Sequence, residues 1–263
     1  ELKEPVRVEK GFGILSQPIG EKRTRCHYTT TQPLTLQPLS LARAGISTEP
    51  DGRSLLRLRF ECSPLADWSR IDLSRIPLYL NGDAPLACAL HEALTLRVAK
   101  TGIRFPGDAD RRPLDARFAV CGFSKEEALL PECGSFSGYQ LLLEYFTFRE
   151  KFMSVTLRGL ENVDFPEELA WFEIDIVLER QWPHEYALSE KHLRLHCTPV
   201  INLFPLESDP LHLDSLQTEY LLRPMRVQDG HTEIYSVDSV TSSRHSGHQT
   251  YVPFTSFRHK GGM

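Results

Sequence analysis

The segment "LFPLESDPLHLD" (203–214) places Glu207, Asp209, His212 and Asp214 within eight residues of one another. Carboxylates and imidazole are the groups that divalent cations take as ligands, and the same groups move protons. A carboxylate-rich metal site is therefore one reading of this stretch. Pro205 and Pro210 hold the intervening chain extended, so Glu207 and Asp209 point the same way only if a strand forms there. Asp209 before Pro210 also has the form of a turn or helix start, where an Asp side chain receives backbone N–H groups. No second cluster in the chain completes a coordination shell, which favours a polar, structured loop over a metal centre.

Other candidate chemistries are weaker. His192 and His196 stand four apart, the spacing that puts two imidazoles on one helix face, but no glutamate follows His192 as a metalloprotease helix requires. His245 and His248 have a spacing a metal could use, in a Ser/Gly-rich stretch that reads as a solvated loop. Cys88 and His91 lie one helical turn apart, as a core thiol beside a surface histidine would. A serine nucleophile needs a strained elbow such as G-x-S-x-G, and "CGSFSG" is only a distant echo of it. Paired carboxylates for glycoside hydrolysis can lie far apart in sequence, so a carbohydrate-binding or carbohydrate-cleaving β-sandwich is the rival reading. Such a protein exposes tryptophans as sugar platforms, whereas Trp68, Trp171 and Trp182 read as parts of strands or their flanks.

The bulk properties narrow the classes further. The 263 residues are 41% hydrophobic and 25% charged, with a net charge of −5 and no basic block. That is the composition of a globular protein, without a surface for tracking nucleic-acid phosphates. No apolar run reaches the length of a membrane span. The opening "ELKEPVRVEKGFG" is neither a signal nor a transit peptide, and without an initiator Met the chain reads as a segment of something longer. Six cysteines (Cys26, Cys62, Cys88, Cys121, Cys133 and Cys197) form no C-x-x-C pair, and reduced, mostly buried thiols are expected.

Most of the chain that must position these groups reads as strand. "SLLRLRFEC" alternates Leu56, Leu58 and Phe60 with Arg57, Arg59 and Glu61, and "AWFEIDIVLE" alternates Phe172, Ile174 and Ile176 with Glu173, Asp175 and Val177. Further strands are expected in 24–47, "PLDARFAVCGF" and "KFMSVTLRGL", then in "TEYLLRP", "TEIYSVDSV" and "TYVPFTSF", with "MRVQDGH" and "TSSRHSGHQ" as exposed loops. Two helices interrupt the pattern. One starts at an Asp83 N-cap with Pro85 in its first turn and is expected to close near Lys100 and Gly102. The other starts near Ser137 and is apolar nearly all round: Tyr139, Leu142, Leu143 and Phe146 form one stripe, and Leu141, Tyr145 and Phe148 a second. Such a helix is either deep in a core or pressed against another subunit. There is no βαβ alternation and no Gly-rich phosphate loop.

Longer blocks are more specific than any of these motifs. "CTPVINLFPLESDPLHLDSLQTEYLLRP", "EIYSVDSV" and "YVPFTSFRH" resemble the signature region of the TssF family, a baseplate subunit of the bacterial type VI secretion system. "YTTTQPLTLQPLSLARA", "IPLYLNGDAPLACALHEAL" and "GFSKEEALLPECGSFSGYQLLLEYFTFREKF" fit the same family, so the resemblance runs from about Thr24 to the end. Family members are roughly twice this length, and "QPLSL" stands where they more often carry a tryptophan before the proline.

The resemblance implies a non-enzymatic scaffold with no cofactor and no bound metal. The implied partners are TssG, a second TssF copy, TssK, TssE and the spike hub VgrG, at the cytoplasmic face of the inner membrane. No nucleic acid and no direct membrane insertion are implied. The expected fold is mainly β with a few helices, built as two antiparallel sandwich-like units: an extended segment over 1–22, a β-rich domain with two helices over 23–180, and a second β-rich unit over 181–263. The expected packing or interaction residues are Tyr139, Leu142, Leu143, Tyr145 and Phe146 on the second helix, with Phe204 and Leu206 as anchors of a crossing between the units.

Overall fold

A computed structural model describes residues 2–251 and 253, except 68–69, 132–136, 167–168, 215, 226, 228–231 and 245–246. In chain order the elements begin with β1 (Val6–Val8), β2 (Gly13–Leu15), β3 (His27–Thr30), β4 (Leu34–Leu36), β5 (Leu39–Thr48), β6 (Ser54–Cys62) and β7 (Ile76–Leu80). Helix α1 (Ala84–Leu96) leads into β8 (Val98–Arg104), β9 (Arg112–Leu114) and β10 (Arg117–Val120). Helix α2 (Ser137–Thr147) precedes β11 (Ser154–Arg158), β12 (Trp171–Leu178), β13 (Leu193–Arg194) and β14 (Val200–Ile201), and β15 (Val240–Arg244) and β16 (Gly247–Tyr251) close the series. The chain is mainly β, as its alternating patterns predict. It divides into two compact units, Glu1–Asn202 and Leu203–Met263.

The two largest sheets of the first unit are antiparallel, a five-stranded one ordered β5-β6-β12-β8-β9 and a four-stranded one ordered β10-β11-β7-β13, beside the smaller β14-β3-β2 and β1-β4 sheets. One face of the larger sheet carries the apolar alternation: Leu56, Leu58 and Phe60 on β6 stand opposite Ile176, Ile174 and Phe172 on β12. These residues share one core with Ile76, Leu78 and Leu80 of β7, Val155 and Leu157 of β11, and Leu86, Leu90 and Leu94 of α1. Phe60 and Phe172 stack with ring centroids 5.0 Å apart, and Phe165 meets Phe172 edge-on at 5.4 Å.

The other face of that sheet is an ionic ladder. Arg57 grips Asp175 with two hydrogen bonds of 2.7 and 3.1 Å, and Arg104 adds a third at 3.3 Å. Arg59 reaches Glu173 and lies 4.1 Å from the centroid of the Trp171 ring. Asp175 is thereby buried without being left unpaired, the condition under which a charge is tolerated inside a fold. Gly159 has φ +98°, and a Cβ there would sit 2.2 Å from the Asp115 carbonyl, so only glycine fits at the turn after β11.

Three expectations are corrected. The first helix does not run to Gly102. It begins at the Asp83 cap, whose side chain accepts from Leu86 N–H at 3.1 Å, but ends at Leu96. Residues from Val98 onward leave it because they pair with β12 as a central strand, and that pairing outweighs their helical spacing. The residues from 181 to 202, assigned from the sequence to the second unit, fall in the first: β13 extends the four-stranded sheet through Leu193↔Leu80, and Trp182 is buried. In the second unit, the stretch expected to be an exposed loop, "TSSRHSGHQ", forms the hairpin β15–β16, while "TEYLLRP" contributes only an isolated bridge at Pro224 and most of "TEIYSVDSV" is non-regular. The hairpin strands carry Thr, Ser and Gln and have no apolar alternation to betray them. Much of "TYVPFTSF" and "MRVQDGH" lies outside the described residues.

Candidate interaction surface

The acid-rich segment is engaged with backbone. Asp209 N–H donates to the Arg223 carbonyl and Met225 N–H to the Glu207 carbonyl, both at 2.8 Å, around the bridge between Ser208 and Pro224. Asp214 receives Leu216 N–H on Oδ1 at 3.1 Å, and its own N–H donates to the Tyr220 hydroxyl at 2.6 Å. This is turn chemistry: short ladders and an Asp that closes on nearby N–H groups. Among the described residues no three His, Cys, Asp or Glu side chains converge as a metal shell would require. Phe204 is half-buried and Leu206 is 45% exposed.

The histidines at 192 and 196 share no helix face. His192 ends a 3-10 turn and its Nδ1 accepts Ser189 N–H at 3.1 Å. His196 sits in the left-handed region, φ +59°, and its Nε2 accepts Gln37 N–H at 3.1 Å. Burial holds the His196 imidazole below its ordinary pKa of 6.5, and does the same for His91, whose Nε2 is buried without a hydrogen-bond partner among the described residues. A histidine with a depressed folded-state pKa stabilises the fold fully above the unfolded value and loses that contribution as pH falls below it. The melting temperature should therefore drop as pH falls from 6.5, and His196→Gln, which keeps an acceptor but cannot titrate, should flatten part of the decline. A melting temperature independent of pH between about 7 and about 5 would contradict this assignment.

The remaining singled-out residues have ordinary structural roles. Cys26, Cys62, Cys88, Cys121 and Cys197 are free thiols, but only Cys62 is fully buried and Cys88 and Cys197 are exposed, so the expectation of mostly buried cysteines is corrected. Burial pushes the Cys62 thiol up to about 12, which makes it an inert core residue. Trp182 donates its indole N–H to the Tyr186 carbonyl at 2.7 Å, and Trp171 lies under Arg59. Trp182 is buried, and Arg59 covers one face of the half-buried Trp171 ring. Cys133, Trp68 and His245 lie outside the described residues, while His248 is exposed on β16.

The surface that stands out is α2. Its apolar residues point outward: Tyr139 (71% exposed), Leu142, Leu143, Tyr145 and Phe146 (81% exposed). The fully buried side chain is the one carboxylate of the helix, Glu144. Glu144 Oε1 accepts Leu129 N–H at 2.9 Å, Leu130 N–H at 3.3 Å and Gln140 Nε2 at 3.2 Å, while Oε2 pairs with the buried ammonium of Lys151. Burial by itself would raise the Glu144 pKa. The hydrogen bonds from Lys151, Leu130 N–H and Gln140 outweigh it and hold the carboxyl below its ordinary value. The exposed patch continues off the helix: Tyr145 touches Phe152 (5.8 Å between centroids), Phe152 touches Phe123 (5.1 Å), and Phe123, Val120 and Phe148 are themselves exposed. The stripes of α2 are visible in the sequence, whereas Glu144, Lys151 and Phe123 were not singled out there. A lone carboxylate amid apolar residues, with a lysine seven residues on, is the signal that marks the pair.

An amphipathic helix on a single domain normally buries its apolar face. On α2 the large apolar side chains are instead grouped outward. Against known proteins, the family model described as "Type VI secretion system, TssF" matches residues 1–263, the whole chain. The chain is 29% identical over 269 residues to the type VI secretion system component TssF1 of Pseudomonas aeruginosa, covering 95% of this chain and 43% of that protein. It is similar to a subunit of a TssK-TssF-TssG baseplate subcomplex solved by cryo-electron microscopy, with TM-score 0.91, 51% identity, and coverage of 99% of this chain and 49% of that one. A chain of the baseplate complex from the type VI secretion system matches with TM-score 0.61 and 46% identity, over 100% of this chain and 45% of that one. The chain thus spans a little under half the length of these relatives. With a family model covering every residue and a shared fold at 51% identity, the chain belongs to the TssF family of the type VI secretion system.

Proposed function

We propose that the chain is a non-enzymatic scaffold portion of the type VI baseplate wedge and that the outward face of α2 docks on TssG. The observation that carries this reading is the reversed helix, with its carboxylate buried and its aromatic and leucine side chains in water. Support for the partner comes from the TssK-TssF-TssG composition of the solved relative. The wider assembly in this reading adds TssK, a second TssF copy, TssE and the spike hub VgrG, at the cytoplasmic face of the inner membrane. Among the described residues no helix is long and apolar enough to cross a membrane.

Phe146→Asp tests the contact. Phe146 is 81% exposed, so the substitution should change stability by no more than about 0.5 kcal/mol. Aromatic anchors at interfaces typically cost about 2 kcal/mol or more when removed, so affinity for TssG should fall about 30-fold or more. Undiminished TssG binding by a folded Phe146→Asp protein would refute the docking assignment. Retained TssG binding with lost TssK binding would assign the face to TssK instead.

A further inference from the structure

Something must hold α2 with its apolar stripe outward, because burying that stripe is what the hydrophobic effect favours. The structure assigns this role to Glu144 and Lys151, as positioning residues that set which face of α2 is displayed; the inference rests on the reading of that face as the docking surface. Neither side chain can touch a partner, since both are buried to within 2% of full burial.

The carboxylate ties three pieces of chain together. It takes the N–H groups of Leu129 and Leu130 before the helix, Gln140 within it, and the Lys151 ammonium from the 3-10 turn that follows. Gln140 adds a bond to the Leu130 carbonyl at 2.8 Å on the same side. Turning the helix about its axis would bury Leu142, Leu143 and Phe146. It would also strip two backbone N–H groups and a buried ammonium of their acceptor, and unpaired donors of that kind are strongly disfavoured in an interior. The pair therefore works against the rotated arrangement. Lys151 also lies 5.1 Å from the centroid of the Phe152 ring, which supports Tyr145 and Phe123, so the same pair underlies the aromatic part of the patch.

The test is a cysteine reporter at Phe146→Cys, labelled with a maleimide and read at that peptide by mass, alongside TssG affinity. Replacing both charges, Glu144→Leu with Lys151→Leu, leaves no uncompensated charge and frees the helix to rotate. Labelling should slow by about tenfold or more as the rotated state takes over. TssG affinity should fall by about 30-fold or more. The neutral pair Glu144→Gln with Lys151→Gln can still accept the Leu129 and Leu130 N–H groups, and it should keep labelling and affinity within about threefold of the parent. A folded leucine pair that labels and binds like the parent overturns the inference. So does a folded glutamine pair whose reporter becomes protected, which is the deciding measurement if the leucine pair does not fold. If TssG fails to bind even the unmodified protein, the docking assignment falls, while the labelling contrast still decides whether the pair orients the helix.

Discussion

Lys151→Met should destabilise the protein by about 3–5 kcal/mol, because it leaves Glu144 charged, buried and without its cation. For a unit of this size that loss lowers Tm by roughly 6–20 °C. The pH dependence identifies the cause. In the unmodified protein the Glu144 pKa lies below its ordinary value of 4.5, so its contribution is present above that value and is lost as pH falls through the folded-state pKa. Without Lys151, burial dominates and raises the carboxyl instead, so the destabilisation should be relieved as acid protonates Glu144. Thermal melts across the acid range check this. A Lys151→Met protein as stable as the parent at neutral pH would show that the ion pair contributes nothing to the fold.

Phe172→Ala should cost a similar amount, about 3–5 kcal/mol, by a different route. Phe172 is fully buried at the centre of the five-stranded sheet, paired in register with Phe60 and stacked on it at 5.0 Å. It also carries Phe165, which meets Phe105 at 5.6 Å, so truncation opens a void in a row of four rings. Denaturant melts should show a lower midpoint with an unchanged slope, the sign of lost stability without a changed unfolded state. The loss should not vary with pH, since the charged group over the stack, the Arg112 guanidinium 5.2 Å from the centroid of the Phe105 ring, stays protonated throughout, and this separates it from the Lys151 effect. A loss below about 1 kcal/mol would mean that the surrounding sheets collapse onto the void.

What could be read directly was whatever depends on neighbours in the chain. The period-two pattern of residues 54–62 and 171–178 specifies which side chains face the core, because successive residues in a strand point to opposite faces. The Asp83 cap and the start of α2 near Ser137 were legible for the same reason: capping and helical spacing are local. Long ordered blocks of residues identified the family before any fold was in view.

Tertiary structure decided whatever depends on residues far apart. Val98–Gly102 was expected to end the first helix, yet it lies in a strand because β12 offers it a ladder from far along the chain, as in Val98↔Leu178 and Gly102↔Asp175. Arg57 and Asp175 are 118 positions apart, and only the register of β6 against β12 makes them a pair. His192 and His196 have the spacing of a helix face but belong to a 3-10 turn and a left-handed residue, each serving a backbone N–H. For α2 the sequence determined that a helix would form and that it would be apolar on most sides. Which side faces water was set by the N–H groups of Leu129 and Leu130 and the ammonium of Lys151, which together need a buried acceptor, and Glu144 is the acceptor this helix supplies. Two backbone N–H groups and a buried ammonium would lose their acceptor together if the helix turned, so the polar contacts set the orientation and the apolar face was left outside.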